Sequence, residues 1–363
     1  MENKIFNEDW EVLTKFFPKG WETQAKALGA LVRQRKIKSA NDLMRILLIH
    51  GADGLSLRHT STISKQSQLC ELSDVAIMKR LQKSSEWFRW MSLELLKDKK
   101  LLPEKPEWLK DYNVKSVDAS VITEPGSTGT DWRLHYSLEL FGLRCSEFTI
   151  TDPSVGESLT NFTVEPGDLI LGDRAYGRLK GLSYVKERGG DFLIRLKNKS
   201  FTIYKNNGKE FNLNTALKKL KIGEIGEWYV YGMPNSKQRL DLRICVIKKS
   251  KRAASESIKK AKKVYSRKQL KIDPLTLELQ KYIIVITSLG SAIDARLILE
   301  LYRSRWQIEI AFKRLKSIMN VGHLPKLDKE SAKGWLHVKL FASLLAQAIV
   351  DEGRLFSPWG YSI

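Results

Sequence analysis

The chain has 363 residues, 42% of them hydrophobic, with 62 Lys and Arg against 41 Asp and Glu, a formal net charge of +21 and a pI near 9.7. That apolar content excludes a disordered basic tail and predicts two or three globular domains. So large a charge costs self-repulsion, and a polyanionic partner is the simplest reason for it. Cys70, Cys145 and Cys245 stand far apart with no Cys-x-x-Cys spacing, so neither a zinc ribbon nor a disulfide framework is legible. No secretory signal is recognisable after Met1, and the longest apolar run, Leu340 to Val350, is too short for a bilayer and carries Gln347. The expectation is a cytoplasmic protein with no membrane partner.

Residues 1–108 read as a helical domain. Ala40 to Ile49 is an apolar helix with Asn41 or Asp42 as candidate N-cap and Gly51 as its stop. Leu55–Leu69 and Asp74–Lys83 read as two helices joined by a short turn around Cys70–Ser73. Lys79, Arg80 and Lys83 on the second are spaced to follow a phosphate backbone, although a solvated face on a packed helix gives the same pattern.

Next come strands at Val114–Asp118, Glu147–Thr151, Leu169–Asp173 and Phe192–Leu196, with a helix near Gly181–Arg188. Asp118 and Asp173 close two of them; taken singly, such an acid is usually a turn or cap residue. Residues 196–281 read as a β-rich insertion, with strands at Gly226–Tyr231 and Leu240–Ile247 about a turn at Met233, then a very basic stretch from Lys248 to Lys271. Tyr282–Thr287 returns to the sheet.

Tyr302, Arg305, Glu309 and Lys316 lie at offsets of 0, 3, 7 and 14. On one continuous α-helix these fall within about 60° of one another. The neighbouring stripe, Leu297, Leu301, Ile308, Phe312 and Leu315, is apolar. A phenol, a guanidinium, a carboxylate and an ammonium on one stripe suit a metal-and-phosphate site, whereas the bland alternative is a salt-bridged solvent face. Ser331 to Val350, with Trp335, Leu336, Leu340, Leu344 and Leu345, is either a dimer helix or a core helix.

Tyr302-x2-Arg305-x3-Glu309-x6-Lys316, with Trp306 beside the arginine, resembles the signature of the DDE transposases of the insertion-sequence-4 (IS4) family. Three upstream blocks resemble that family in the same order: Val114-Lys-Ser-Val-Asp118-Ala-Ser, the Gly126 to Tyr136 segment, and Asp168-Leu-Ile-Leu-Gly-Asp173-Arg174-Ala-Tyr176-Gly. The resemblance covers residues 110 to 320. It implies an α/β fold: an RNase H-like mixed-sheet core in two parts (109–195 and 282–325), interrupted by the insertion, with the helical N-terminal domain before it and a helical C-terminal segment (326–363) after it.

It also implies that Asp118, Asp173 and Glu309 are catalytic and bind metal, with Asp118 bridging two ions. Oxygen-only ligands favour Mg²⁺, with Mn²⁺ as a substitute. Tyr302, Arg305 and Lys316 would hold phosphates at the element's ends, with Arg174 as a further clamp and Trp306 stacking on a base. Asp131, Glu157 and Asp168 read as turn or supporting acids, and His135 as a hydrogen-bonded core residue. Some family members stack a flipped base on a tryptophan where this chain has Tyr282-Ile283, so the resemblance leaves open whether excision passes through a hairpin. The expected partners are double-stranded DNA, as terminal inverted repeats and as target, and a second copy in a homodimer. An RNase H-like nuclease or resolvase, or a catalytically silent DNA-binding derivative, are the alternatives.

Overall fold

The computed structural model describes residues 10–355 except 53, 98–104, 128, 130, 197–200, 236–237, 318–323 and 327. Residues 128 and 130 of the glycine-rich block, and the far side of the turn after Met233, therefore lie outside the described residues.

Eight strands make one mixed sheet. They are β1 (Asn113–Ile122), β2 (Trp132–Glu139), β3 (Arg144–Thr151), β4 (Asp168–Gly172), β5 (Asp191–Arg195), β6 (Ile225–Gly232), β7 (Leu240–Lys248) and β8 (Tyr282–Thr287), in the order β3-β2-β1-β4-β5-β8-β7-β6. β1, β4 and β5 run parallel, and every other pairing is antiparallel. All five residues of β4 are buried, as a central parallel strand covered on both faces requires. Its side chains alternate between two cores: Ile170 packs with Tyr176, Phe192 and Ile244, while Leu169 and Leu171 pack with Val114, Ile298 and Leu301.

The N-terminal helices are α1 (Trp21–Ala27), α2 (Ala40–Gly51), α3 (Leu57–Gln66), α4 (Asp74–Lys83) and α5 (Ser85–Lys97). Ser39, not Asn41 or Asp42, caps α2: its hydroxyl accepts from Asp42 N at 3.0 Å, the Asp42 carboxylate accepts from Ser39 N, and Gly51 lies inside the helix. The last helix, α12 (Lys329–Leu355), closes this bundle, with Trp335, Leu336, Val338 and Phe341 buried and Phe341 edge-on to both Phe17 and Phe88. It is a core helix of the N-terminal unit, not a separate C-terminal element.

The insertion also differs from expectation. β6 and β7 extend the same sheet through β8, and helices α7 (Leu213–Lys218), α8 (Lys251–Arg267) and α9 (Pro274–Leu279) accompany them. It is thus neither predominantly β nor separate from the core sheet. The remaining helices are α6 (Leu179–Glu187), α10 (Ala295–Ser304) and α11 (Gln307–Ser317). All three cysteines are buried and free, and among the described residues no helix is long and apolar enough to cross a membrane.

Candidate active site

The parallel register between β1 and β4 pairs Ser116 with Leu171. Two residues further along each chain stand Asp118 and Asp173, so the same register sets the two carboxylates level and on one face. Asp118 is not the strand end that the sequence suggested; β1 runs on to Ile122, whereas β4 stops at Gly172 and leaves this position open. Gly172 leaves room for its neighbours, because a Cβ there would lie 2.8 Å from Ile194 Cδ1 and 3.2 Å from Tyr176 Cβ, and both would have to shift. Asp173 caps the short turn Arg174–Tyr176, accepting from Ala175 N at 2.7 Å, which fixes its carboxylate. Asp118 accepts from Ala119 N at 2.8 Å, yet burial, with the charges of Asp173 and Glu157, raises its pKa to about 6.

The third acid arrives on a broken helix. The chain leaves α10 at Ser304, turns through Arg305 and Trp306 with Arg305 N bonding Tyr302 O and Ile308 N bonding Arg305 O, and resumes as α11. Ile298, Leu299 and Leu301 of α10 enter the core under β4 and β8, whereas Ile308, Phe312 and Leu315 of α11 enter the core that β1 to β3 share with the N-terminal helices, with Phe312 against Tyr136 of β2. A two-residue turn separates the helices, so the single stripe inferred from a continuous helix is corrected to two half-stripes meeting at Arg305.

The junction is tied to both aspartate strands. Ser116 Oγ, buried in β1, donates to Arg305 O at 3.3 Å, and the Tyr302 hydroxyl donates to Gly172 O at 3.3 Å. Tyr302 is only 7% exposed, so it does not present its hydroxyl to a phosphate, as expected from sequence; it holds the main chain immediately before Asp173. Arg305 Nη2 binds Glu309 Oε1 at 2.5 Å, and its guanidinium lies 6.0 Å from the Tyr302 ring. Glu309 and Lys316 are exposed on α11, and Trp306 is 55% exposed, free of the packing that would have made it a core residue. Glu309 is paired with Arg305, and among the described residues no three acid, histidine or cysteine side chains converge closely enough to hold a metal ion.

The family described as "Transposase DDE domain" matches residues 151–345, more than half of the chain and inclusive of Asp173 and Glu309. The chain belongs to the DDE transposases. Over 97% of its length it is 27% identical to the putative transposase InsL for insertion sequence element IS186A of Escherichia coli, covering 96% of that protein, and equally to the transposase for IS421 of Escherichia coli. It is also 27% identical to the transposase for IS231F of Bacillus thuringiensis, over 63% of this chain and 51% of that one. Among solved structures, a piggyBac transposase synaptic complex with hairpin DNA aligns at a TM-score of 0.47 and 6% identity, covering 94% of this chain and 73% of that one. The resemblance to IS4-type transposases is borne out by these relatives.

Around the acids, this transposase places residues that the sequence reading underweighted. Glu157 is half-buried and its pKa is raised by burial and by Asp173, so it belongs to the acid cluster and is not a remote turn residue. Tyr176 is buried with its hydroxyl unpartnered, within electrostatic reach of Asp118, Glu157 and Asp173. Its position three residues after Asp173 was the available signal. Arg174 is half-buried, has an unpartnered Nε, and shares its surroundings with Arg195.

Asp168 and Asp131 are structural: the first accepts from Lys115 Nζ at 2.7 Å and Asn113 Nδ2 at 2.9 Å, the second from Glu124 N and Ser127 Oγ. His135 is fully buried against Thr151, and burial lowers its pKa to about 4. Tyr282 is buried in the sheet core and offers no face to a base. In the N-terminal unit Lys79 and Lys83 are exposed on α4, but Arg80 bonds Ala30 O and Arg33 O and so clamps main chain instead of phosphate.

Proposed function

We propose that this transposase binds the terminal inverted repeats of its insertion sequence, cuts the DNA at the element's ends and joins the 3′-hydroxyls to target DNA, with Asp118, Asp173 and Glu309 as catalytic acids. The observation that carries the reading is the shared β1–β4 register, which sets Asp118 and Asp173 side by side at an open strand end. The order β3-β2-β1-β4-β5, with three parallel central strands, supports an RNase H-like core.

Two facing carboxylates, one with its pKa raised to about 6 by burial and the neighbouring acids, form a hard oxygen donor set, and Mg²⁺ or Mn²⁺ suits it. Such ions, when bound, would lower the pKa of a nucleophilic water and relieve charge on the leaving oxygen. Asp118 and Asp173 would hold them, and Glu309 would join on leaving Arg305. Arg305 then becomes free to turn its fork toward the phosphate, with Lys316 as a mobile point charge, Arg174 behind Asp173, and Trp306 as a stacking surface. Tyr302 and Ser116 fix the frame on which these groups sit. Lys79 and Lys83 would contribute phosphate contacts from the N-terminal unit. Holding two ends together favours a homodimer on DNA, acting on nucleoid DNA in a bacterial cytoplasm.

The test is cleavage and joining of a linear duplex carrying the candidate ends, with Mg²⁺ and with chelator. Asp118→Ala, Asp173→Ala and Glu309→Ala should each abolish cleavage while leaving end binding within a few-fold. Normal Mg²⁺-dependent cleavage by any of the three would remove that residue from the catalytic set. Hydrolysis without joining would assign a nuclease instead.

A further inference from the structure

The helix α8 is exposed along almost its whole surface. Only Ala254 is buried; Ser257, Ile258, Ala261 and Tyr265 are half-buried, and these define one narrow inner stripe. The remaining surface carries seven cations against one acid, Glu256, which pairs with Arg252. Lys259, Lys260, Lys262, Lys263 and Arg267 are exposed and make no ion pair among the described residues. Lys259 and Lys263, and Lys263 and Arg267, are four apart, and like charges at that spacing destabilise a helix. Folding therefore gives no reason for this pattern. A membrane surface is a poor fit, since the inner stripe is small and packed and leaves no broad apolar face.

The helix is also placed with respect to the acids. It follows β7, in the half of the sheet away from β1 to β3 and the N-terminal bundle, so Asp118 and Asp173 lie between bundle and helix. At its root Lys249 donates to Gln280 O at 2.9 Å and Ser257 Oγ at 2.8 Å, and lies within electrostatic reach of Arg195 and Arg174. Tyr265, near its other end, also influences Arg174, the residue after Asp173. Both ends of the helix are thus within electrostatic reach of Arg174, so the helix and its exposed cations lie alongside the acid site.

We propose that the exposed face of α8 binds the backbone of the target DNA duplex and leads it to the acid site. Lysine ammoniums contact phosphates and do not read bases, which suits a duplex of arbitrary sequence. The element's own end, by the reading above, approaches from the N-terminal bundle on the other side. The assignment to target DNA rests on that reading; the assignment to duplex DNA rests on the helix alone.

The experiment uses the full chain with Lys259, Lys260, Lys262 and Lys263 all changed to Gln, a good helix former that removes charge. Binding to a duplex of unrelated sequence is measured across a salt series, alongside cleavage of a labelled end duplex and joining to a plasmid target. The expected results are a shallower salt slope by about 2 to 4, near 0.9 for each lost phosphate contact, a loss of joining of at least roughly tenfold, and end cleavage within about twofold of the parent. The same four positions changed to Arg should restore the slope, which separates charge from misfolding. An unchanged slope and unchanged joining would overturn the proposal and leave α8 a solvated face. An equal fall in end binding and cleavage would overturn it by moving the helix to the element's end. A parent protein that neither cuts nor joins would refute transposition, while the salt slope would still report on the helix.

Discussion

Replacing Asp118 by Asn should make this protein more stable and inactive at once. The side chain keeps its shape and its acceptor for Ala119 N, but loses a charge that burial and Asp173 disfavour. Folding moves the pKa from 3.8 to about 6. Between these values the unfolded chain has released the proton while the folded chain retains it. Stability is therefore lost as pH rises through this window, and the whole cost is present above pH 6. A shift of about two units corresponds to at most roughly 3 kcal/mol, and nearer 1 to 2 kcal/mol once solvent screening of a half-buried group is counted. Thermal melting of parent and variant in chelator, at pH 7.5 and at pH 4, is the assay. The variant should melt a few degrees higher at pH 7.5, by roughly 2 °C per kcal/mol, and the difference should largely vanish at pH 4. A variant less stable at pH 7.5, or a difference that grows toward acid, would refute the argument that burial, with Asp173 beside it, disfavours the Asp118 charge.

Tyr302→Phe keeps the buried ring but leaves Gly172 O without its donor. A stability loss of about 1 kcal/mol and a fall in cleavage rate of order tenfold are expected with unchanged affinity for end DNA; a loss of affinity with an unchanged rate would return Tyr302 to the phosphate-binding set. Arg305→Ala and Lys316→Ala should impair cleavage and joining by on the order of 100-fold through a misplaced phosphate, more than they impair end binding, whereas the exposed Arg303→Ala should be mild. Equal kinetic defects at 303 and 305 would show that the junction does not discriminate between them.

Much of the central architecture was legible in the sequence, because buried parallel strands such as Leu169–Leu171 read as apolar runs, and the acids follow or interrupt them. β2 was not: His135, Ser137 and Glu139 are buried polar residues in it, satisfied by partners that no linear pattern reveals. The break at Arg305 was invisible for a related reason. Both halves of 297–315 keep a helical period, and nothing in that period marks the two-residue turn at Arg305 and Trp306. The burial of Tyr302 and the clamp made by Arg80 follow the same rule, since a polar tip on a helix face does not say whether its partner is solvent, phosphate or a distant carbonyl. Lys248–Lys271 was read as basic but not as a helix, because charge masks the small-residue stripe Ala254, Ile258, Ala261.

The closure of the N-terminal bundle by α12 bears on how this protein is made. Gly334 packs so near Leu81 that a Cβ would meet its carbonyl oxygen at 2.6 Å, and His337 Nδ1 lies 2.9 Å from Ser85 Oγ. Until residues 329–355 are synthesised, the core that holds Leu47, Trp87 and Phe88 therefore lacks one wall. A product truncated before residue 329 would not be a small autonomous DNA-binding fragment. Such a product would expose the apolar surface that α12 covers, which favours aggregation or proteolysis over folding.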